Sequence, residues 1–261
     1  MTAVNVLVNS PSGTIQLTRP DQRNALDRSA VEQISQAFFD LHQEKKVRGV
    51  ILTASGTDFC AGLDLKEMHQ TASGDPNSAL GAWHDDWTQL RDLLETMLRF
   101  PKPIIAAIDG TALGAGLGLA LAADLIVAAP SATFGVPAVR RGLISGVVSP
   151  LLCFRSGGKT AARMMLTGQS IDAQEALRLN LIDEIVDADK IWVRANELVA
   201  ECAAAPAEAI QLSKRLLNET IGETLLTQMS VGAAMGATAC TTEAAAEGLA
   251  AFKEKREPNW P

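Results

Sequence analysis

The spacing of apolar positions changes period along this chain, and each change predicts an element. Val4 to Val8 and Thr14 to Leu17 read as two strands, with Ser10-Pro11-Ser12-Gly13 as the hairpin turn between them. After Asn24-Ala25-Leu26-Asp27 the period becomes helical: Val31, Ile34, Phe38 and Leu41 share one face. Asp27 is the candidate N-cap, with Ser29 and Glu32 as a competing capping box. Val47 to Thr53 predicts a third strand. Thr71 to Gly81 is polar and turn-rich and predicts a mobile loop, followed by a long helix from roughly Trp83 to Arg99 that stops before Pro101 and Pro103. Ile104 to Ile108 reads as a buried strand, then come a glycine-bearing turn, an apolar helix to Ala123 and a strand from Leu125 to Ala128. Strand, turn, helix and strand in repetition predict βα units around a parallel sheet, an α/β fold.

From about Gly157 strands nearly vanish, apart from Leu181 to Val186. Helical stretches follow at Ala161–Leu166, Ala173–Leu179, Lys190–Ala203, Ala207–Asn218, Leu225–Ala237 and Thr242–Arg256. The last three are rich in Ala and Gly, which favours close helix–helix approach, within the chain or with another subunit. No low-complexity linker separates this region from the rest.

Composition removes several classes of function. The 261 residues suffice for one sizeable core. The formal net charge of −7 argues against nonspecific nucleic-acid binding, though a few local cations suffice for a phosphorylated ligand. The longest charge-free run, Gly110 to Ala123, is too short to cross a bilayer, so no membrane partner is expected. Met1-Thr-Ala-Val shows no secretory pattern, and Cys60, Cys153, Cys202 and Cys240 read as free thiols of a reducing compartment, which predicts a cytoplasmic protein. These cysteines and the three histidines lack metal-ligand spacing, so no metal site is expected.

Two turns carry the candidate chemistry. In Phe59-Cys-Ala-Gly-Leu-Asp-Leu-Lys66, Ala61-Gly62 permits a tight turn before a short helix beginning at Leu63. In Asp109-Gly-Thr-Ala-Leu-Gly-Ala-Gly116, Gly114 and Gly116 open the apolar helix. Each turn read alone is an ordinary strand-to-helix connection. Together they suggest an oxyanion hole, in which the N–H groups of Leu63 and Ala115 converge on one carbonyl oxygen. Gly114-x-Gly116-x-Gly118 lacks the third-glycine spacing of a dinucleotide fingerprint.

These turns, with Arg19-Pro20, Asn24-Ala25-Leu26, Lys102 to Gly110, Ala122-Ala-Asp124, Phe134-Gly135 with Pro137, and Glu247-Gly248 through Phe252 and Lys255 to Pro258, resemble the crotonase superfamily, the enoyl-CoA hydratase/isomerase family, over nearly the whole chain. The resemblance implies a repeated ββα spiral core over residues 1–190 and a C-terminal helical region over 191–261 that trimerises and closes the ligand site. It implies a homotrimer or dimer of trimers. It also implies coenzyme A as part of an acyl-CoA substrate, with no permanently bound cofactor. It assigns the oxyanion donors to Leu63 and Ala115. CoA contacts fall on Arg23, Ala25, Leu26, Ala61, Asp64, Leu65, Lys66, Phe252 and Lys255, and the acyl pocket on Gly114, Gly118, Pro137, Ala138, Arg141 and Gly146.

The departures from the family pattern matter as much. Family hydratases use two glutamates, one to activate water and one to move a proton beside the carbonyl. The matching positions are Gly118 and Ala138, and no tyrosine exists to supply a phenol. Small residues there suggest extra room for a bulky acyl group. His84 with Asp85 and Asp86, beside Trp83 and Trp87, are candidate replacements, as are Arg140 and Arg141 for holding an acyl carboxylate. Glu219, Glu223 and Glu243 are weaker candidates. The expectation is an acyl-CoA enzyme of hydratase/isomerase type that stabilises a thioester enolate without the usual glutamates. The alternatives are a decarboxylase or hydrolase, or a non-catalytic acyl-CoA-binding protein; a purely structural trimer is weaker.

Overall fold

A hairpin of β1 (Val4–Asn9) and β2 (Ser12–Leu17) begins the fold in this computed structural model, which describes residues 2–260. The strands β3 (Gly49–Ala54), β4 (Ile104–Ile108), β6 (Leu125–Ala128) and β9 (Glu184–Ile185) add to β2 in parallel, giving the order β1-β2-β3-β4-β6-β9. A second sheet, unanticipated because its strands are only two or three residues long, joins β5 (Thr111–Leu113), β7 (Thr133–Gly135) and β8 (Ile171–Asp172).

The central strands β3, β4 and β6 are buried on both faces, while β1 is exposed, and the central side chains alternate between two apolar clusters as a pleated strand requires. Val50, Leu52, Ile104 and Ala106 join the main core, while Ile51, Ile105, Ala107 and Val127 join a second one. Helix α7 (Ile191–Ala203) supplies Ile191, Ala195 and Val199 to the second cluster. A boundary at 190 therefore separates from the core a helix that covers one face of its sheet.

Helix α1 (Arg28–Gln43) starts at Asp27, whose carboxylate accepts the Ala30 N–H at 2.7 Å, and buries Val31, Ile34, Phe38 and Leu41. The expected loop from Thr71 to Gly81 is largely helical. α2 (Leu65–Ala72) fills its start, and α3 (Pro76–Arg99) fills its end. Asp75 caps α3 by accepting the Ser78 N–H at 2.9 Å, and Pro76 takes the first helical position, where a missing N–H costs nothing. Cap and turn draw on the same polar residues, which is why the pattern misled.

After the apolar α4 (Ala115–Ala122) come α5 (Val148–Thr167), kinked at Gly157, and α6 (Ala173–Arg178). The C-terminal helices are α8 (Ala207–Arg215), a π-helical turn at Leu216–Ile221, α9 (Glu223–Ala239) and α10 (Glu243–Glu254). Gly236 of α9 lets α3 approach closely, since a Cβ there would stand 2.5 Å from the Trp87 ring. Buried Lys214 ties α8 to the core through Asp124 at 2.7 Å. Among the described residues no helix is long and apolar enough to cross a membrane, and no cluster of His, Cys, Asp or Glu is arranged to hold a metal.

Candidate active site

The two turns are stitched together by backbone. Cys60 N–H donates to the Thr111 carbonyl and Leu113 N–H donates to the Cys60 carbonyl, both at 2.9 Å, an isolated parallel bridge between Cys60 and Ala112. A second bridge fixes the first turn from the other side: Leu26 N–H donates to Gly62 and Asp64 N–H to Leu26, both at 2.8 Å. Gly62 (φ +98°) and Gly114 (φ +50°, ψ −120°) occupy backbone regions that strain any other residue. They also face each other: a Cβ on Gly62 would lie 2.9 Å from the Leu113 carbonyl oxygen and 3.5 Å from the Ala115 nitrogen. Gly116 lets α4 rest on the first turn, since a Cβ there would be 2.3 Å from the Cys60 carbonyl oxygen.

Among the N–H groups that this stitching leaves unused are those of Leu63 and Ala115. Neither Leu63 N–H nor Ala115 N–H has a hydrogen-bond partner among the described residues. For Ala115 this is the ordinary state of a first helical residue whose cap, Gly114, has no side chain. For Leu63 the cause differs from expectation. The helix begins at Leu65 with Asp64 as its cap, so Leu63 precedes it, and the bridge to Leu26 uses the N–H groups of Leu26 and Asp64 but not that of Leu63.

Both residues border a cavity of about 500 Å³. Arg23, Ala25, Ala61, Asp64, Leu65 and Lys66 line it from the first turn and its neighbours, and Gly114, Pro137, Ala138, Arg141 and Phe252 from the second turn and the C-terminal elements. The lining divides by burial. Arg23, Lys66 and Arg140 are exposed, whereas Met68, Trp87, Leu90, Leu143 and Val148 are buried and apolar. At the rim the Arg141 guanidinium lies 5.6 Å from the Phe252 ring centre, so α10 closes the cavity within one chain.

Four sequence-predicted residues lie elsewhere. Leu26 is buried and acts through its backbone on the position of Leu63. Lys255 caps the exposed end of α10, away from the cavity lining. Gly146 is not a pocket residue but a packing glycine, because a Cβ there would meet the Gly232 carbonyl oxygen at 2.1 Å. Gly118 also sits behind the wall: a Cβ would stand 3.0 Å from Val148 and 3.4 Å from Leu94, so the expected extra room at this position is already filled.

The electrostatics narrow the chemistry. Asp64, the sole carboxylate lining the cavity among the described residues, is committed to structure: Oδ1 accepts the Lys66 and Glu67 N–H groups and Oδ2 faces Arg19 at 3.4 Å. Arg23 makes a two-pronged contact with Asp58 at 3.0 and 2.9 Å. That contact holds the Asp58 carboxyl below its ordinary range and raises Arg23 further. Burial pushes the Cys60 thiol up to about 12, so it stays protonated. His84 and Asp85 point to solvent, with side chains 69% and 77% exposed, and Asp86 pairs with Arg28 at 2.5 Å; none lines the cavity. Glu219, Glu223 and Glu243 are likewise absent from its walls. Sequence reasoning missed Met68, Leu90, Leu143, Ser145 and Val148, which line it; only the apolar spacing of Met68, Leu90 and Val148 on their helices, shared with ordinary core residues, hinted at any of them.

Comparison with known proteins agrees over the full length. The family model described as enoyl-CoA hydratase/isomerase matches residues 10–261. The chain is 34% identical over 259 residues to enoyl-CoA hydratase domain-containing protein 2, mitochondrial, of Bos taurus, covering 97% of this chain and 85% of that one. Among solved structures, an enoyl-CoA hydratase/isomerase from Xanthobacter autotrophicus superposes with a TM-score of 0.87 at 26% identity, covering 97% and 92%. Methylmalonyl-CoA decarboxylase in complex with 2-nitronate-propionyl-CoA superposes with a TM-score of 0.84, also at 26% identity, covering 100% and 98%.

Proposed function

Because the chain belongs to the enoyl-CoA hydratase/isomerase family, we propose that its cavity receives the acyl end of a CoA thioester and stabilises the enolate. The thioester oxygen sits between the N–H groups of Leu63 and Ala115, and the cationic rim meets the phosphates of CoA. The observation that carries this reading is the pair of unpartnered N–H groups on abutting turns at the cavity wall. Such donors act where negative charge develops, and each contributes about 2.7–4 kcal/mol in related cases.

The same cavity lacks a lining His, Glu, Tyr or Cys among the described residues, and its one carboxylate is occupied. This favours a reaction that forms the enolate without a protein base. In decarboxylation of a 2-carboxyacyl-CoA the carbon–carboxylate bond breaks, its electron pair passes into the enolate, carbon dioxide leaves, and solvent supplies the proton to carbon 2. Arg141, on the cavity wall, is the group that would attract the carboxylated substrate. Hydration through the glutamate pair is not the route proposed, since the matching positions are Gly118 and Ala138.

We also propose a trimer or a dimer of trimers. Its support is the apolar surface of the C-terminal helices, where Leu212, Leu216, Leu217, Ile221, Val231 and Met235 are all more than half exposed. Such a surface marks an interaction site.

The test is incubation of the purified protein with methylmalonyl-CoA and, separately, crotonyl-CoA, with product mass and binding heat recorded. Loss of carbon dioxide from the first and no water gain by the second supports the proposal. Tight binding of both without product supports the acyl-CoA-binding alternative. Hydration of crotonyl-CoA refutes the reading.

A further inference from the structure

The segment from Gly142 to Gly146 is pinned at both ends. A Cβ on Gly142 would lie 2.1 Å from the Ala244 carbonyl oxygen, and one on Gly146 2.1 Å from that of Gly232. The backbones of α10 and α9 thus clamp the two glycines, and the residues between them are held against the cavity. One of these, Ser145, carries the sole side-chain hydroxyl in the cavity lining among the described residues.

That hydroxyl is out of place. Ser145 is 8% exposed, and its Oγ is buried with no hydrogen-bond partner in the protein. The backbone does not compensate, because the Ser145 carbonyl already accepts both the N–H and the hydroxyl of Ser149, at 2.8 and 2.6 Å. The buried lining residues around this end, Leu90, Leu143 and Val148, are apolar. An unpaired buried hydroxyl is costly, whereas an alanine of the same shape would cost nothing. Ser145 belongs to the cavity lining, and χ1 is the single torsion that sets where its Oγ points.

We propose that Ser145 is a specificity-determining residue that hydrogen-bonds an oxygen substituent on the distal part of the acyl chain, beyond the reacting carbon. The site therefore takes a distally oxygenated acyl-CoA in preference to a plain one. This rests on the acyl-CoA reading above and adds the chemistry of the acyl group. A segment packed tightly at both ends and buried apolar neighbours are the conditions under which one hydroxyl discriminates strongly, because a ligand lacking the oxygen leaves Oγ unpaired.

The test compares calorimetric affinities for butyryl-CoA against 4-hydroxybutyryl-CoA, and for pentanoyl-CoA against 4-hydroxypentanoyl-CoA. The wild type is expected to prefer at least one hydroxylated ligand by about tenfold. Ser145→Ala is expected to abolish that preference while binding the plain acyl-CoA as well or better. Ser145→Cys, which keeps the shape with a weaker donor, is expected to reduce it. Binding of the plain and hydroxylated ligands with equal affinity by the wild type, or retention of the preference by Ser145→Ala, overturns the assignment while leaving the acyl-CoA reading intact. Failure of every acyl-CoA, butyryl-CoA included, to bind overturns both.

Discussion

Ala115→Pro removes one N–H from the proposed oxyanion hole with little other damage. Ala115 is the first residue of α4, the helical position where proline is best tolerated, and its N–H has no protein partner to lose. Ala115 is buried but also borders the cavity, and the pyrrolidine ring takes the place of the N–H that has no protein partner. Stability is expected to change by less than about 1 kcal/mol, a Tm shift under about 4 °C for a chain of this size. Loss of one donor from an oxyanion hole costs about 2.7–4 kcal/mol, or about 100- to 1,000-fold in turnover. The assay is carbon dioxide release from methylmalonyl-CoA, paired with the affinity for 2-nitronate-propionyl-CoA, whose nitronate mimics an enolate. Turnover and nitronate affinity should fall together by that factor, while affinity for CoA itself stays within about threefold, less than about 0.7 kcal/mol. Ala115→Gly, which retains the N–H, should remain active. A folded Ala115→Pro variant with unchanged turnover and nitronate affinity would refute the reasoning.

Other consequences are equally direct. Ala138→Glu projects into the cavity and should fold normally. Gly118→Glu must displace Val148 and Leu94 and should lose about 1–3 kcal/mol by overpacking. The double variant is therefore expected to melt several degrees lower and fail to hydrate crotonyl-CoA, and hydration at the wild-type Tm would show that Gly118 does face the substrate. The Arg23–Asp58 pair yields a pH signature. Its folded carboxyl lies below the ordinary value, so its stabilisation is complete above about pH 4 and is lost as pH falls through the lowered value. Asp58→Asn should lower stability by at most about 1 kcal/mol above that pH and converge with the wild type in stronger acid; a constant difference across the range would contradict this.

Local signals carried much of the fold. Ile104–Ile108 was readable because a buried apolar strand is fenced by Pro103 and Asp109-Gly110, and the start of α1 because Asp27 is a cap followed by a helical stripe. The helix at Pro76 was hidden because Asp75 and Pro76 serve caps and turns alike. At the site, both glycine turns were visible, but the reason Leu63 has a free N–H was not. It depends on a bridge to Leu26, which is a tertiary contact. Gly118 and Gly146 show the limit of matching positions to a family. Matching supplies a place in the chain, whereas the direction of a side chain depends on neighbours such as Leu94, Val148 and Gly232. Ser145 had no sequence signal, since an unpaired hydroxyl is recognisable only once its surroundings are known.

The central claim is that Leu63 and Ala115 together polarise a thioester carbonyl. The most direct measurement is the isotope-edited infrared spectrum of a bound acyl-CoA carrying a carbon-13 label at the thioester carbonyl, recorded for the wild type and for Ala115→Pro. The account predicts a carbonyl stretch shifted to lower frequency than in water for the wild type, with the shift largely removed in the variant. A wild-type stretch at its solution frequency with ligand demonstrably bound would contradict it.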